Sequence, residues 1–248
     1  MKIAVPIKHV PDTETKVRIA GDGKTINSDG VTFVMNPYDE YALEEALKIK
    51  EAGGGEVTVI TLGGDDTMKT LRTGLAMGAD NAIYIKSDKS HDSASTACII
   101  ASALKDKGYD IIFLGMKAVD DDSGAVGGML AEYLGLPCVT IVVDLKINDG
   151  KATAKRESEY GMEIIETTLP AVFTAQKGLN EPRYASLKGI MQAKKKPVVM
   201  IDAPEYGNKI EVLEMKYPPD RAEGRIVGEG MEAVPELVRL LKEEAKVL

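Results

Sequence analysis

IIFLGMKAVDDDSGAVGGMLAEYLG, residues 111–135, holds a strand, a loop and a helix in that order. Ile111–Leu114 is an unbroken apolar run, the pattern of a strand buried on both faces, and Gly115 closes it. From about Gly124 to Leu134 the spacing predicts a helix, ended at Gly135, the residue type that most easily takes the left-handed position there. Toward the N-terminus the same alternation repeats. Ser93–Lys107 reads as a helix stopped near Gly108, and Ala82–Ile85 as a short strand. The strand Val57–Leu62 leads through Gly63-Gly64 into a helix carrying Met68, Leu71 and Leu75. Earlier still, Asn36-Pro37 opens a helix with Ala42, Leu43, Ala46, Leu47 and Ile49 on one face; Asn can cap the orphan N–H groups and Pro suits the first turn. Ile3–Ile7 is the first strand, and Pro11–Gly30 a polar loop or hairpin. Strands separated by helices predict an α/β fold with a mostly parallel, doubly wound sheet and right-handed crossovers.

Beyond Cys138 the pattern changes. Val139–Val143, Ala152–Glu157 and Glu163–Leu169 read as an antiparallel addition with Asn148-Asp149-Gly150 as a turn, and Val172–Ala175 as one more apolar strand. After Gly178 the α/β rhythm is lost. The expected organisation is a nucleotide-binding body over residues 1–177, a basic loop over 178–200 and an extended C-terminal arm over 201–248. The arm ends in an amphipathic helix, about Ala233–Lys246, with Leu237, Leu240 and Leu241 on one side.

Composition narrows the function. Of 248 residues 44% are hydrophobic but only 5% aromatic, so Val, Ile, Leu, Ala and Met build the core. The net charge of −8 disfavours bulk binding to nucleic acid or to an anionic membrane. Cys98 and Cys138 each sit in an apolar run and read as buried free thiols, which fits a reducing compartment. The N-terminal run lacks the features of a signal peptide, and no apolar stretch approaches the ~20 residues needed to span a bilayer, so a cytoplasmic location without membrane embedding is expected.

Ligands of such sheets bind beyond the carboxyl ends of the strands. That rule brings together three loops: residues 6–13, 62–67 and 115–128. In the last, Ser123, Gly124, Gly127 and Gly128 let backbone N–H groups approach an anion at a helix N-terminus. Asp120, Asp121 and Asp122 are adjacent, whereas metal loops space their carboxylates, so they read as capping that helix and favouring its dipole, with no metal. His9 ends the first strand, within reach of a ligand there. His91 lies near a helix start and reads as a surface or capping residue. No nucleophile–base pair or metal cluster stands out, so a carrier or binding role is expected rather than catalysis of bond chemistry. A second informative segment is LNEPRYASLKGIMQAKKK, residues 179–196. There Leu187, Ile190 and Met191 form an apolar group ringed by Lys188, Lys194, Lys195 and Lys196, the composition either of a solvated loop whose Leu folds into the core, which the residues alone favour, or of a transient docking site.

That segment resembles the signature of electron-transfer flavoprotein beta subunits. VMNPYDEYALEEALKIKE, LRTGLAMGAD and GMKAVDDD are similar to three further blocks of the family, in the same order. The resemblance implies a sheet of the adenine-nucleotide alpha-hydrolase-like type. It also implies a heterodimer with an alpha subunit on which the 201–248 arm packs, an FAD shared with that subunit, and a structural AMP in this chain. By position the AMP pocket takes Pro6, Asn36, Pro37, Tyr38, Asp39, Val59 and Leu62. Its phosphate sits in the loop Gly115, Met116, Lys117, Ala118, Val119, Asp120, Asp121, Asp122, Ser123, Gly124, Ala125 and Val126. His9 and Thr13 stand where the family approaches the flavin, although Thr13 replaces an aromatic residue found there in some members. Residues 178–200 become the docking loop for flavoprotein dehydrogenases of the acyl-CoA or a related type, with Leu187 as anchor and Tyr184, Ile190, Met191, Lys194, Lys195 and Lys196 around it. Electrons would pass on to a membrane or other redox acceptor. Gly124, Ala125 and Val126 are less polar than in some members, which keeps open a bifurcating relative holding a second FAD and oxidising NADH. A stand-alone ATP-binding stress-type module is the third reading; it leaves the basic loop and the arm without a purpose.

Overall fold

A computed structural model describes residues 1–220 and 223–248. In chain order the strands and helices are β1 (Lys2–Pro6), β2 (His9–Pro11), β3 (Phe33–Met35), α1 (Pro37–Gly53), β4 (Glu56–Gly63), α2 (Met68–Met77), β5 (Asn81–Lys86), α3 (Ser93–Leu104), β6 (Ile111–Gly115) and α4 (Val126–Leu134). Then come β7 (Cys138–Asn148), β8 (Lys151–Ser158), β9 (Gly161–Thr168), β10 (Ala171–Ala175), α5 (Leu187–Ala193), β11 (Val198–Asp202) and α6 (Val234–Glu243). Nine strands make one sheet in the order β11-β5-β4-β1-β6-β10-β7-β8-β9, and β2 and β3 form a separate antiparallel pair. From β11 to β7 all neighbours run parallel; β8 and β9 add on antiparallel.

Strand alternation feeds two cores, because successive side chains point to opposite faces of the sheet. Ile3, Val5, Ile111 and Phe113 join Leu43 and Leu47 of α1 and Leu71 and Leu75 of α2 on one face. Ala4, Ile112 and Leu114 join Ile99 of α3 and Leu130 of α4 on the other. The central strands are covered on both faces, which is why they read as continuous apolar runs.

The rhythm does not end at Gly178. Residues 187–193 form α5, which rests on α2, and β11 then pairs in parallel with β5, from Val198↔Ala82 to Asp202↔Lys86. Leu187, Ile190 and Met191 at helical spacing and the apolar run 198–201 carry weak signals for them, but Ala193 is the one buried residue of α5, and β11 is an edge strand with Val199 and Met200 exposed. Residues 203–220 and 223–248 make the extended arm. Every residue of α6 is at least partly exposed, and Ile210, Leu213, Ile226 and Met231 are each 70% or more exposed. The thiols also differ from expectation: Cys138, at the outer start of β7, is exposed and Cys98 half-buried, both free.

Phe113 and Phe173 stand side by side on β6 and β10, both fully buried, with ring centroids 5.8 Å apart. Replacing Phe173 by Ala removes the ring and leaves a cavity that the flanking strands cannot close. The expected cost is about 3–5 kcal/mol, measured as a lower denaturant midpoint with an unchanged slope.

Candidate functional site

From β1 the chain winds one way through β4 to β5, then crosses back to β6 on the other side of β1. A sheet with that order opens a crevice at its switch point, beyond the carboxyl ends of β1 and β6. A cavity of about 500 Å³ lies there. It brings together most of the predicted pocket: Pro6, Asn36, Asp39, Leu62, Gly115, Met116, Lys117, Ala118, Asp120, Asp121, Ser123, Gly124, Ala125 and Val126. Pro37, Tyr38, Val59, Val119, Asp122, His9 and Thr13 are not among its walls. Val59 is fully buried on the face of β4 that packs against Gly74 of α2. The Tyr38 ring lies 5.9 Å from Lys117 Nζ, and Asp122 pairs with the same Lys117. His9 stacks on Phe33 with centroids 4.7 Å apart and shares a 2.7 Å hydrogen bond with Thr70 Oγ1; Thr13 is exposed on the loop after β2.

The first turn of α1 holds the cavity's rims. Asn36 does not cap its own helix; its Nδ2 donates to Lys117 O at 2.9 Å and its Oδ1 accepts from Val119 N at 3.2 Å. Asp39 accepts from Lys8 N at 2.7 Å and from Gly115 N at 2.9 Å. Burial pushes the Asp39 carboxyl up to about 6, against the pull of those two amide donors. Gly115 allows this fit, since a Cβ there would lie 2.5 Å from Asp39 Oδ1 and 2.6 Å from Tyr38 Cβ.

The aspartate run plays a different role from the capping expected of it. α4 begins at Val126 after Ala125 and has no side-chain cap, so its first N–H groups remain free to meet an anion. Asp120 and Asp121 instead grip Lys8 Nζ, at 2.8 and 3.0 Å. Burial alone would lower the Lys8 ammonium, but the two carboxylates outweigh it and hold it above its ordinary value. No group of His, Cys, Asp and Glu among the described residues could hold a metal ion.

Lys8, within the predicted 6–13 loop, also lines the cavity, as do residues 89–93 at the start of α3, Thr96 and Val212, which sequence reasoning missed. The carboxyl-end rule would have found the 89–93 segment, because it leaves β5 as the 115–126 loop leaves β6. Asp92, not His91, caps α3, accepting from Ser95 N at 2.7 Å. His91 Nε2 lies 2.7 Å from Ser87 Oγ, while its Nδ1 is buried without a hydrogen-bond partner among the described residues. Burial and nearby Lys89 hold the ring below its ordinary pKa, so it is largely neutral at pH 7. Apolar walls from Pro6, Leu62, Ile100 and Leu114, an uncapped helix start and an unpaired ring nitrogen suit a nucleotide better than proton-transfer chemistry.

At the other end of α1 the basic segment is clamped down. Arg183 reaches Glu44 with Nε at 2.8 Å and Nη2 at 2.9 Å, and Glu51 with Nη1 at 2.5 Å. Asn180 Nδ2 donates to Tyr41 O and Glu45 Oε2. Beyond α5, Arg72 donates to the carbonyls of Ala193 and Lys196, and Lys196 turns inward to those of Leu75 and Ala79. Between the clamps Tyr184 is 98%, Leu187 83%, Met191 71% and Ile190 44% exposed, with Lys194 and Lys195 exposed beside them.

Residues 24–206 match the family described as electron transfer flavoprotein domain. The chain is 43% identical to the electron transfer flavoprotein subunit beta of Bacillus subtilis and 40% identical to the mitochondrial subunit of that name from Arabidopsis thaliana, each over the full length of both chains. It is 41% identical to the subunit beta of Syntrophomonas wolfei, covering all of this chain and 98% of the relative.

Gly115→Ala forces a methyl group against Asp39 and the Tyr38 backbone. Its expected cost is about 1–3 kcal/mol of stability, read from thermal unfolding. Nucleotide content should fall in the fraction that still folds.

Proposed function

The chain belongs to the electron transfer flavoprotein family, as a beta subunit, and from that premise we propose that it pairs with an alpha subunit, shares an FAD with it and keeps an AMP in the switch-point cavity. The assembly carries electrons from flavoprotein dehydrogenases of the acyl-CoA or a related type to a membrane or other redox acceptor, in the cytoplasm. The supporting observation is the cavity itself. Its volume of about 500 Å³ is in the range of small-molecule sites. The start of α4 offers N–H groups to a phosphate, and His91 Nδ1 offers a buried polar atom to the rest of the ligand.

When bound, the flavin supplies the redox chemistry. This chain's contribution is placement: the first turn of α1 holds the cavity's rims, and Thr13 stands where some family members bring an aromatic residue near the flavin. The arm supports the heterodimer, because the exposed apolar residues of α6 and of residues 210–213 need a covering surface. No helix among the described residues is long and apolar enough to cross a membrane. The stand-alone ATP module is disfavoured by that arm and by full-length similarity to subunits. A second FAD in the cavity remains the competing occupant: Gly124, Ala125 and Val126 bring no polar side chain to its wall and would contact a larger nucleotide by backbone alone.

Denaturing the purified heterodimer and identifying the released nucleotides tests the reading; equal FAD and AMP are expected, and two FAD without AMP would replace the carrier by the bifurcating type. Leu187→Ala should slow electron transfer from a partner dehydrogenase on the order of tenfold with flavin content unchanged, as followed by stopped-flow absorbance. Raised salt should slow the same association by screening Lys194 and Lys195.

A further inference from the structure

β1 and β6 are neighbours at the centre of the sheet, yet their pairing runs only through Ile3↔Ile111 and Ala4↔Ile112. Beyond those residues each strand keeps its outer partner. Ile7 N donates to Ile60 O on the β4 side, and Met116 N to Ala175 O on the β10 side. The next amide on one strand and the previous one on the other, Lys8 N and Gly115 N, therefore face the gap between β1 and β6. Both donate to the two oxygens of Asp39, at 2.7 and 2.9 Å, and Asp39 is 5% exposed.

We propose that Asp39 is the positioning residue of the cavity: its carboxylate replaces the missing ladder between the ends of β1 and β6 and fixes the separation of the rims between which the nucleotide sits. The proposal rests on reading the cavity as a nucleotide site. It requires an acceptor at both oxygens. An ionised carboxylate provides that, whereas a protonated acid or an amide turns one of the two positions into a donor.

Burial has raised the Asp39 carboxyl to about 6. The folded chain thus holds this proton more tightly than the unfolded chain, and Asp39 alone favours the folded state as pH falls through that value. What protonation removes is one acceptor for the rims. Nucleotide retention and fold stability consequently respond to Asp39 in opposite directions, which separates positioning from a merely structural role. Other charges around the cavity are engaged. Lys8 is held by Asp120 and Asp121, and Lys117 by Asp122. From the α3 side, Asp92 accepts backbone N–H groups and is lowered by them. On α1, Glu40 is raised by burial. Lys89 pairs with Glu205 at 3.2 Å, and His91, lowered by burial, is the competing titrating group on the far wall.

The experiment times release of the cavity's nucleotide from the purified heterodimer, wild type and Asp39→Asn, between about pH 7.5 and about pH 5.5. Wild-type release should accelerate on the order of tenfold through pH ~6, the effect of one lost hydrogen bond. Asp39→Asn should release quickly at every pH. A step of unchanged size in the variant would assign the titration to His91 and overturn the proposal, as would a flat wild-type profile with normal retention by the variant. Amide hydrogen exchange on the wild-type heterodimer is independent of how the variant folds. Lys8 or Gly115, whichever donates to the protonated oxygen, should lose protection through the same midpoint relative to Ile7, whose acceptor is the Ile60 carbonyl; parallel behaviour of all three amides refutes the proposal. Should the denatured heterodimer yield no nucleotide beyond the shared FAD, the reading of the cavity fails, while the exchange measurement still decides the role of Asp39.

Discussion

A parallel sheet that reverses its winding direction must spread two neighbouring strands, and strands held apart leave backbone N–H groups facing a gap. Unpaired, each such group would cost on the order of 1–3 kcal/mol. In this chain the first turn of α1 meets that demand: Asp39 takes the two amides at the ends of β1 and β6, and Asn36 ties down the loop that follows β6. Much else is subordinate to this arrangement. Gly115 is glycine because Asp39 and Tyr38 fill the space of its side chain, and Lys8 can leave β1 to meet Asp120 and Asp121 because its backbone is already anchored. The cavity is the room left over once the spread strands have been stitched to a helix.

Where burial was deep the fold was legible in the sequence. Ile111–Leu114, Val57–Leu62 and the apolar face of α1 carry periodicities that only a covered strand or a packed helix requires. Legibility fell off with burial: α5 and β11 are half-exposed and add onto finished layers, so their short apolar patterns, Leu187 with Ile190 and Met191 and the run 198–201, were too weak to separate them from a loop. The site divided along similar lines. Glycine and the strand-end rule located the 115–126 loop, and family resemblance added Asn36 and Asp39. Residue type alone could not reveal direction. The aspartates looked like helix caps but reach back to Lys8, and Val59, placed in the pocket by position, faces α2. Lys8 takes its role from long-range contacts to Asp120 and Asp121 that no local pattern encodes.

The two ends of the molecule differ in how they treat apolar surface. The body buries its Phe, Ile and Leu between sheet and helices. The arm displays Ile210, Leu213, Ile226 and the amphipathic α6 to solvent. The basic segment also exposes apolar side chains but is held at both ends: Arg183 on one side and Arg72 with Lys196 on the other fix its base while Leu187 stands out. A preformed anchor loses little conformational freedom on contact, which favours brief and repeated encounters over tight complexes.

One helix serves both places. The start of α1 sets the cavity through Asn36 and Asp39, and its middle and end hold the docking segment through Tyr41, Glu44, Glu45 and Glu51. In the language of inheritance, this helix is a shared locus for two traits. A change at Glu44 that loosens the basic segment also disturbs the beam on which the cavity's rims are mounted. Change is therefore tolerated best at exposed positions such as Leu187, Met191, Lys194 and Lys195, which can vary while α1 stays still.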